Sequence, residues 1–178
     1  LKDGTYSYFW YQGTAYEGDI TKPLPADTQW LTIKAENPHK AIIKYTDTVY
    51  DPSSRTNVAN AGNRCADLGN EYGHNGPYRY LALKFDGLAF HGKVNTNNVI
   101  GLRITNCISY STEDFLNMSR YECGFAIGGN DAAGDVIIEN CKIYHHRKGI
   151  AANCYNLQVI DCDIYDIGVH HMYISGND

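Results

Sequence analysis

Apolar and polar residues alternate in short runs along the second half of the chain. In VIIEN and LQVID, aliphatic residues stand at every second position: Val136 and Ile138, then Leu157 and Val159. Runs of this length and period, rich in Ile, Val and Tyr and ended by Gly or Asn, are typical of β-strands whose alternate side chains share one face. The pattern predicts an all-β chain.

Three of these runs align on a cysteine, in LRITNCISY around Cys107, VIIENCKIY around Cys141 and LQVIDCDIY around Cys162. Each has aliphatic residues four and two positions before the cysteine, Asn or Asp directly before it, and Tyr three positions after it. LKFDGLAFH is a fourth copy, with Leu88 in place of the cysteine. The anchors lie 19, 34 and 21 residues apart, so the unit is about twenty residues with one insertion. Such self-similarity predicts a solenoid.

The residue types select the kind of solenoid. Leucine-rich repeats need several leucines at fixed offsets, whereas Ile, Val and Cys take the inward positions here. Short parallel strands at this period predict a right-handed parallel β-helix, with the cysteines as an inward ladder of small, free side chains. The residues directly before the three cysteines are then expected at the same turn of each successive coil. Asn tolerates left-handed geometry there and can hydrogen-bond along the stack. These are Asn106, Asn140 and Asp161.

The 178 residues are enough for one domain. We expect N-terminal strands over 1–50, a long loop over 51–80, where Asn, Gly and Ser are frequent and nothing alternates, and stacked coils over 81–178. HHMYISGND stops just after a strand, which predicts a β-helix that is incomplete at its C-terminus or whose open end meets another chain. Leu1 in place of Met predicts that a targeting segment has been removed.

Three segments of the first half resemble the opening of secreted right-handed β-helix proteins of the pectate lyase-like superfamily, nearest the chondroitinase B and alginate lyase family. They are LKDGTY, WLTIKAENPHKAIIKY and RYLALKFDGLAFHG. The resemblance implies a secreted polysaccharide lyase that acts on an acidic glycan of the alginate, pectate or glycosaminoglycan type, with Ca²⁺ as a candidate cofactor. Those lyases carry a Lys on one coil, an Arg on the next and acidic calcium ligands nearby. Here HHRKG places both cations in one turn.

The second strand of each coil predicts the binding surface. GFAIGGN, GIAANCY and HMYISGN fall in one register, with Phe125, Ile150 and Met172 pointing inward. A floor of small residues beside an imidazole and a phenol suits an extended polysaccharide; the alternative is that the small residues only relieve crowding. The predicted outward residues are Gly124, Ala126, Gly149, Ala151, His171 and Tyr173.

The turn HHRKG lies directly before one of these strands. A lyase acting on uronic acids needs a cation that neutralises the carboxylate and a base that removes the neighbouring proton. We expect Arg147 to bind the carboxylate and Lys148 to act as the base, with His171 and Tyr173 as the alternative base and acid. His145, His146 and His170 complete the predicted substrate-binding surface, and the paired histidines are also candidate ligands for Zn²⁺ or Cu²⁺. The alternative is an ordinary solvated turn.

The amino-acid composition argues against some classes of binding partner. A net charge of -5 without a block of Lys or Arg argues against nucleic acid, and no apolar run reaches the roughly eighteen residues that membrane insertion needs. Fifteen tyrosines against five phenylalanines suit surfaces that meet sugars or proteins, although Tyr is also a good strand former. Asn117 begins a glycosylation sequon. The rival prediction is a non-catalytic extracellular protein, either fibre-forming through end-to-end association or a glycan-binding module.

Overall fold

The computed structural model describes residues 1–51, 56–59, 63–69, 77–113, 122–128 and 132–175. Over these ranges the chain is all-β, as predicted. None of the described residues forms a helix with the length and apolarity that a membrane crossing requires. The strands are β1 (Gly4–Ser7), β2 (Phe9–Tyr11), β3 (Thr14–Ala15), β4 (Leu31–Lys34), β5 (Ala41–Lys44), β6 (Thr48–Asp51), β7 (Thr56–Ala59), β8 (Arg64–Gly69), β9 (Arg79–Asp86), β10 (Ala89–His91), β11 (Lys93–Asn97), β12 (Val99–Thr105), β13 (Ile108–Tyr110), β14 (Phe125–Ile127), β15 (Ala133–Glu139), β16 (Lys142–Ile160) and β17 (Asp163–Ser175).

Mostly parallel pairing joins fifteen of these strands into one sheet that is nearly closed into a barrel-like shape, and β6 and β7 form a separate two-stranded sheet. Its strands form three columns, and β16 is long enough to take part in all of them. The register partners of the first column are Leu31, Leu83, Leu102, Val136 and Leu157. Those of the second are Tyr6, Ile43, Phe90, Ser109, Ile143 and Ile164. Those of the third are Phe9, Ala66, Val94, Phe125, Ile150 and Met172.

The inward positions of the three columns form one core. Val136 and Ile138 are fully buried, as the alternation predicted. Phenylalanines from different columns meet edge to face, with ring centroids 5.5 Å apart for Phe9 and Phe85 and 5.3 Å apart for Phe85 and Phe90. Such contacts add to the stabilisation that comes from removing apolar surface from water. The columns therefore share a single aromatic centre.

Two predicted ladders are confirmed at the turn between the first and second columns. Asn106 and Asn140 have positive φ angles of 54° and 49°, and the Asn140 amide donates to Asn106 Oδ1 at 2.7 Å. Asn106 in turn donates to Asp86 Oδ1 at 2.8 Å, which continues the ladder to the end of β9. All six cysteines are free, and hydrogen bonding to Cys107 together with burial raises the pKa of Cys141 to about 12. A thiol of that kind is a packing group rather than a nucleophile.

The long loop expected over 51–80 is wrong for its described part. β7 (Thr56–Ala59) pairs antiparallel with β6, and β8 (Arg64–Gly69) is a mostly buried strand that pairs in parallel with β2 and β11. The core-facing side chains of β8 include Ala66 and Leu68, which alternate with the polar Asp67. Ala66, Asp67 and Leu68 form a run too short for its alternation to be recognised among the polar residues around it in the sequence. Residues 52–55, 60–62 and 70–76 lie outside the described ranges.

Candidate functional site

A shallow groove lies on the outer surface of β14, β16 and β17. Ala126, Ala151 and Tyr173 are register partners across the three strands, which confirms the alignment made from the sequence. Phe125 and Ile150 precede them and are fully buried, so alternation turns the two alanines and the tyrosine outward. The lining residues are Ala126, Ile127, Ala151, Ala152, Asn153, Tyr173 and Ser175. The floor of the groove is therefore formed by the methyl groups of Ala126 and Ala151, and the Tyr173 ring lies at one end.

Three functional side chains meet at the tyrosine end of the groove. The Lys148 ammonium lies 5.7 Å from the centroid of the Tyr173 ring, and the His170 ring centroid lies 5.9 Å from it. Lys148 and His170 are register partners on β16 and β17, and the Tyr173 side chain is 55 % exposed. The cluster offers a cation for an anionic ligand, an imidazole that can accept a proton and a phenol that can donate one.

Gly124 and Gly149 do not form the exposed floor that was predicted, because both are buried. A Cβ at Gly149 would lie 2.4 Å from the His171 carbonyl oxygen and 2.7 Å from a methyl group of Ile164, both on β17. A Cβ at Gly124 would lie 2.8 Å from the Gly149 carbonyl oxygen. The glycines thus allow neighbouring strands to approach closely, which is the alternative stated above, that the small residues only relieve crowding.

His171 lies on β17 at the register position that Gly149 has on β16, because the residues that follow them, Met172 and Ile150, are register partners. A Cβ at this position on β16 would meet the backbone of β17, whereas β17 has no further neighbour among the described strands. His171 is exposed because no described residue packs beyond β17. His171 therefore lies on an edge strand of the described sheet, its role as a base stays a prediction, and the His170 ring lies beside Tyr173.

His146 is not part of the binding surface, because it is completely buried. Its Nδ1 lies 2.6 Å from Glu122 Oε1 and its Nε2 lies 2.9 Å from Ser109 Oγ. The second oxygen of Glu122 accepts the backbone N–H of Arg147 at 3.0 Å. Glu122, His146 and Ser109 are each 0 % exposed, so this network fixes the turn before the groove and does not meet ligand. The half-buried Arg147 is not among the residues that line the groove.

The His145 side chain makes its hydrogen bonds to residues outside the groove, and its backbone has a positive φ of 55°. Its Nδ1 lies 2.8 Å from Asp166 Oδ2 and its Nε2 lies 2.9 Å from the Glu113 carbonyl oxygen. The two histidine pairs are therefore not brought together as metal ligands. Across the described ranges, no group of three or more His, Cys, Asp and Glu side chains is placed to hold a metal ion. A calcium cofactor stays a prediction, and the Asn117 sequon lies outside the described residues.

The bond between His145 and Asp166 is expected to make stability depend on pH. Hydrogen bonding to Asp166 raises the pKa of His145 above its usual value, against an opposing effect of burial. The contribution is therefore complete below the unfolded pKa of about 6.5 and is lost as pH rises through the folded pKa. Because the two side chains are 33 % and 53 % exposed, it should stay below about 1 kcal/mol.

Urea unfolding of the wild type and of His145→Gln at pH 6 and pH 9 measures this contribution. We expect the free energies of unfolding to differ at pH 6 and to converge at pH 9. Asp166→Asn, which removes the carboxylate and keeps the shape, should show the same loss at pH 6. An equal difference at both pH values would contradict the ion pair.

The outward column of the groove continues through residues that the sequence did not single out. Trp10, Asp67, Asn95 and Ala126 are successive register partners on β2, β8, β11 and β14. Asp67 Oδ2 accepts hydrogen bonds from the Tyr8 hydroxyl at 2.5 Å and from Arg64 at 2.9 Å. Asp67 Oδ1 accepts one from the Asn95 amide at 2.8 Å. The alternation of Phe9, Trp10 and Tyr11 was the available signal, but β2 and β8 lie outside the cysteine-anchored repeat.

No family model matches the chain, and no curated protein and no solved structure matches it either. The grounds for a function are therefore the groove, the Lys148, His170 and Tyr173 cluster at its end, and the column that leads to Trp10.

Proposed function

We propose that this protein is a secreted right-handed parallel β-helix protein that acts as a polysaccharide lyase on an acidic glycan. The observation that carries the proposal is the groove with Lys148, His170 and Tyr173 at its end. The β-helix is supported by the register steps of the first column, 19, 34 and 21 residues from Leu83 to Leu157, which equal the spacings of the repeat. The resemblance to secreted polysaccharide lyases points the same way.

The groove fits a flat, extended sugar chain. Ala126 and Ala151 leave the backbone accessible to a ring, and Tyr173 offers an aromatic face for stacking. Asn153 and Ser175 supply an amide and a hydroxyl for hydrogen bonds to sugar hydroxyls. None of the lining residues that the structure describes is acidic, and the Lys148 ammonium lies beside them. These features favour a glycan that carries carboxylates.

The three side chains at the end of the groove can be assigned to the steps of an elimination. Lys148 pairs with the uronate carboxylate and stabilises the charge that develops on it, the role predicted from the sequence for Arg147. His170 takes the proton from C5, and the electron pair of that C–H bond forms the C4–C5 double bond. The C4–O4 bond breaks, and Tyr173 donates its hydroxyl proton to the leaving oxygen. No oxidant or reductant is required.

Incubation with alginate, pectate and chondroitin, with and without added calcium, tests the elimination. We expect the ultraviolet absorbance of an unsaturated uronate product with one of these polymers. Tyr173→Phe removes the proton donor and keeps the ring, so it should lower the rate by about a hundredfold while the polymer still binds.

Tyr165→Phe is the matched control, because Tyr165 lies on the same strand, is 47 % exposed and stacks on Tyr144 outside the groove. It should retain the wild-type rate. The absence of an unsaturated product from every polymer would overturn the lyase, and equal rates for the two phenylalanine variants would overturn the role of Tyr173 as proton donor. Retention of an acidic polymer without turnover would identify a binding module instead.

A structural protein that associates end to end is the second candidate. The apolar side chains of Val169, Met172 and Ile174 on β17 are 50 %, 42 % and 53 % exposed. Among the described strands, β17 pairs only with β16, so its other edge offers unpaired backbone groups to a further strand. A structural protein would form no unsaturated product, and its assembly would depend on Tyr173 no more than on Tyr165.

A further inference from the structure

We infer that a second groove, on the outer surface of the first column, binds an α-amino acid with an apolar side chain in its zwitterionic form. This groove has a volume of about 280 Å³ and is lined by Trp30, Lys84, Arg103, Thr105, Ile137 and Glu139. None of these residues lines the groove that ends at Tyr173. The inference therefore goes beyond the proposed function and does not rest on it.

One side of the second groove offers two cations. Lys84 and Arg103 are register partners on β9 and β12. The residues before them, Leu83 and Leu102, are fully buried, so alternation turns both cationic side chains outward. The Lys84 ammonium forms no ion pair or hydrogen bond with any residue that the structure describes. It can therefore bind an anionic group of a ligand.

Arg103 contributes one further donor. Its Nη1 donates to the carbonyl oxygens of Leu102 at 3.1 Å and Asp135 at 2.8 Å, and its Nη2 donates to the Asp135 carboxylate at 2.9 Å and 3.0 Å. These bonds hold the guanidinium over Trp30, with Cζ 4.4 Å from the ring centroid, and leave the Nε–H without an acceptor in the described part of the chain. This N–H is accessible, because no buried side-chain nitrogen or oxygen of the described residues lacks a partner. A carboxylate beside Lys84 and Arg103 thus has two donors.

The other side of the second groove offers acceptors. Thr105 and Glu139 are register partners on β12 and β15, and Thr105 lies two residues after Arg103 on the same strand. The Thr105 hydroxyl donates to the Phe85 carbonyl oxygen at 3.2 Å, so its lone pairs can accept a hydrogen bond. The Glu139 side chain is exposed, and its carboxylate has no partner among the described residues. Two residues of strand place these acceptors about 7 Å beyond the row of cations.

A ligand that uses both sides must carry both charges. An α-amino acid places its carboxylate at the donors and its ammonium at the acceptors, whereas a singly charged molecule gains a charged partner on one side only. Lys84 and Glu139 lie two strands and two residues apart, which separates their Cα atoms by about 12 Å and leaves room for a zwitterion with a hydrogen bond at each end. The half-buried side chains of Ile137 and Trp30 complete the lining, so they favour an apolar or aromatic side chain on the amino acid.

The chain has only two tryptophans, so the fluorescence of Trp30 can be observed alone in a Trp10→Phe variant. The probes are L-phenylalanine, N-acetyl-L-phenylalanine, which lacks the ammonium charge, and L-phenylalanine amide, which lacks the carboxylate. We expect L-phenylalanine to change the Trp30 emission and to bind about tenfold more tightly than either derivative, the gain of one charge-assisted contact. If L-phenylalanine at millimolar concentrations neither binds in calorimetry nor changes the emission, the site is overturned.

Two variants in the same background pair each charge of the protein with one charge of the probe. Glu139→Gln should weaken the binding of L-phenylalanine about tenfold and leave that of N-acetyl-L-phenylalanine unchanged, whereas Lys84→Met should weaken L-phenylalanine and leave the amide unchanged. Lys142→Met, which removes an exposed lysine of the second column, is the control and should bind all three probes like its parent. If N-acetyl-L-phenylalanine binds as tightly as L-phenylalanine and Glu139→Gln affects neither, the groove binds only an anion and the amino-acid assignment is overturned. The converse result, with the amide and Lys84→Met, would overturn it equally.

Discussion

Replacing Glu122 with alanine is expected to lower the free energy of unfolding by about 3–5 kcal/mol, the usual result of removing a buried carboxylate that accepts hydrogen bonds from two buried groups. Glu122 and His146 are both fully buried, and Glu122 also accepts the Arg147 backbone N–H. The substitution leaves His146 Nδ1 and that N–H without acceptors in the interior. Urea unfolding followed by circular dichroism measures the loss.

Glu139→Ala is the matched control, because Glu139 is exposed and lies on a neighbouring column. It should change the free energy of unfolding by less than about 0.5 kcal/mol. Removing both partners, in Glu122→Leu combined with His146→Leu, should restore part of the loss because no polar group is left unpaired. A loss below about 1 kcal/mol for Glu122→Ala would show that the network is not closed to water.

Phe90→Ala is expected to lower the free energy of unfolding by about 3–5 kcal/mol as well, for a different reason. Phe90 is fully buried between Phe85 and Phe125, with ring centroids 5.3 Å and 6.2 Å away. Its removal opens a cavity where the columns meet, and strands that are hydrogen-bonded on both sides cannot move in to fill it.

Phe90→Leu keeps most of the volume and should cause a clearly smaller loss. Thermal unfolding of the two variants beside the wild type gives the comparison. Equal losses for leucine and alanine would mean that ring contacts rather than filled volume hold this part of the core together.

The cysteine-anchored repeat made the register predictable. Each copy carries the same inward and outward positions, so aligning the letters also aligned the strands, and Ala126, Ala151 and Tyr173 meet as expected. The Asn106 and Asn140 ladder followed from the same alignment, because a residue that favours left-handed geometry recurred before each cysteine. A periodic sequence determines neighbours along the stack.

What the repeat could not predict are the contacts between columns. His146 reads as a surface residue in HHRKG, yet it is buried because Glu122, which lies 24 residues earlier, reaches the same corner. Nothing periodic links the two positions. Gly124 and Gly149 were predicted to face outward because alternation alone cannot show how closely the neighbouring strand, β17, approaches Gly149. β8 was missed since only Ala66 and Leu68 mark its core-facing side.

The pairing of one strand with the next also determines the length of the outer face of the third column. Each strand of the third column pairs with the strands one register step before and after it, so adding or removing one strand changes the length of the column by about 4.8 Å. The distance between Trp10 and Tyr173, the aromatic residues at the two ends of the column, is in this way determined by the number of strands that pair between them.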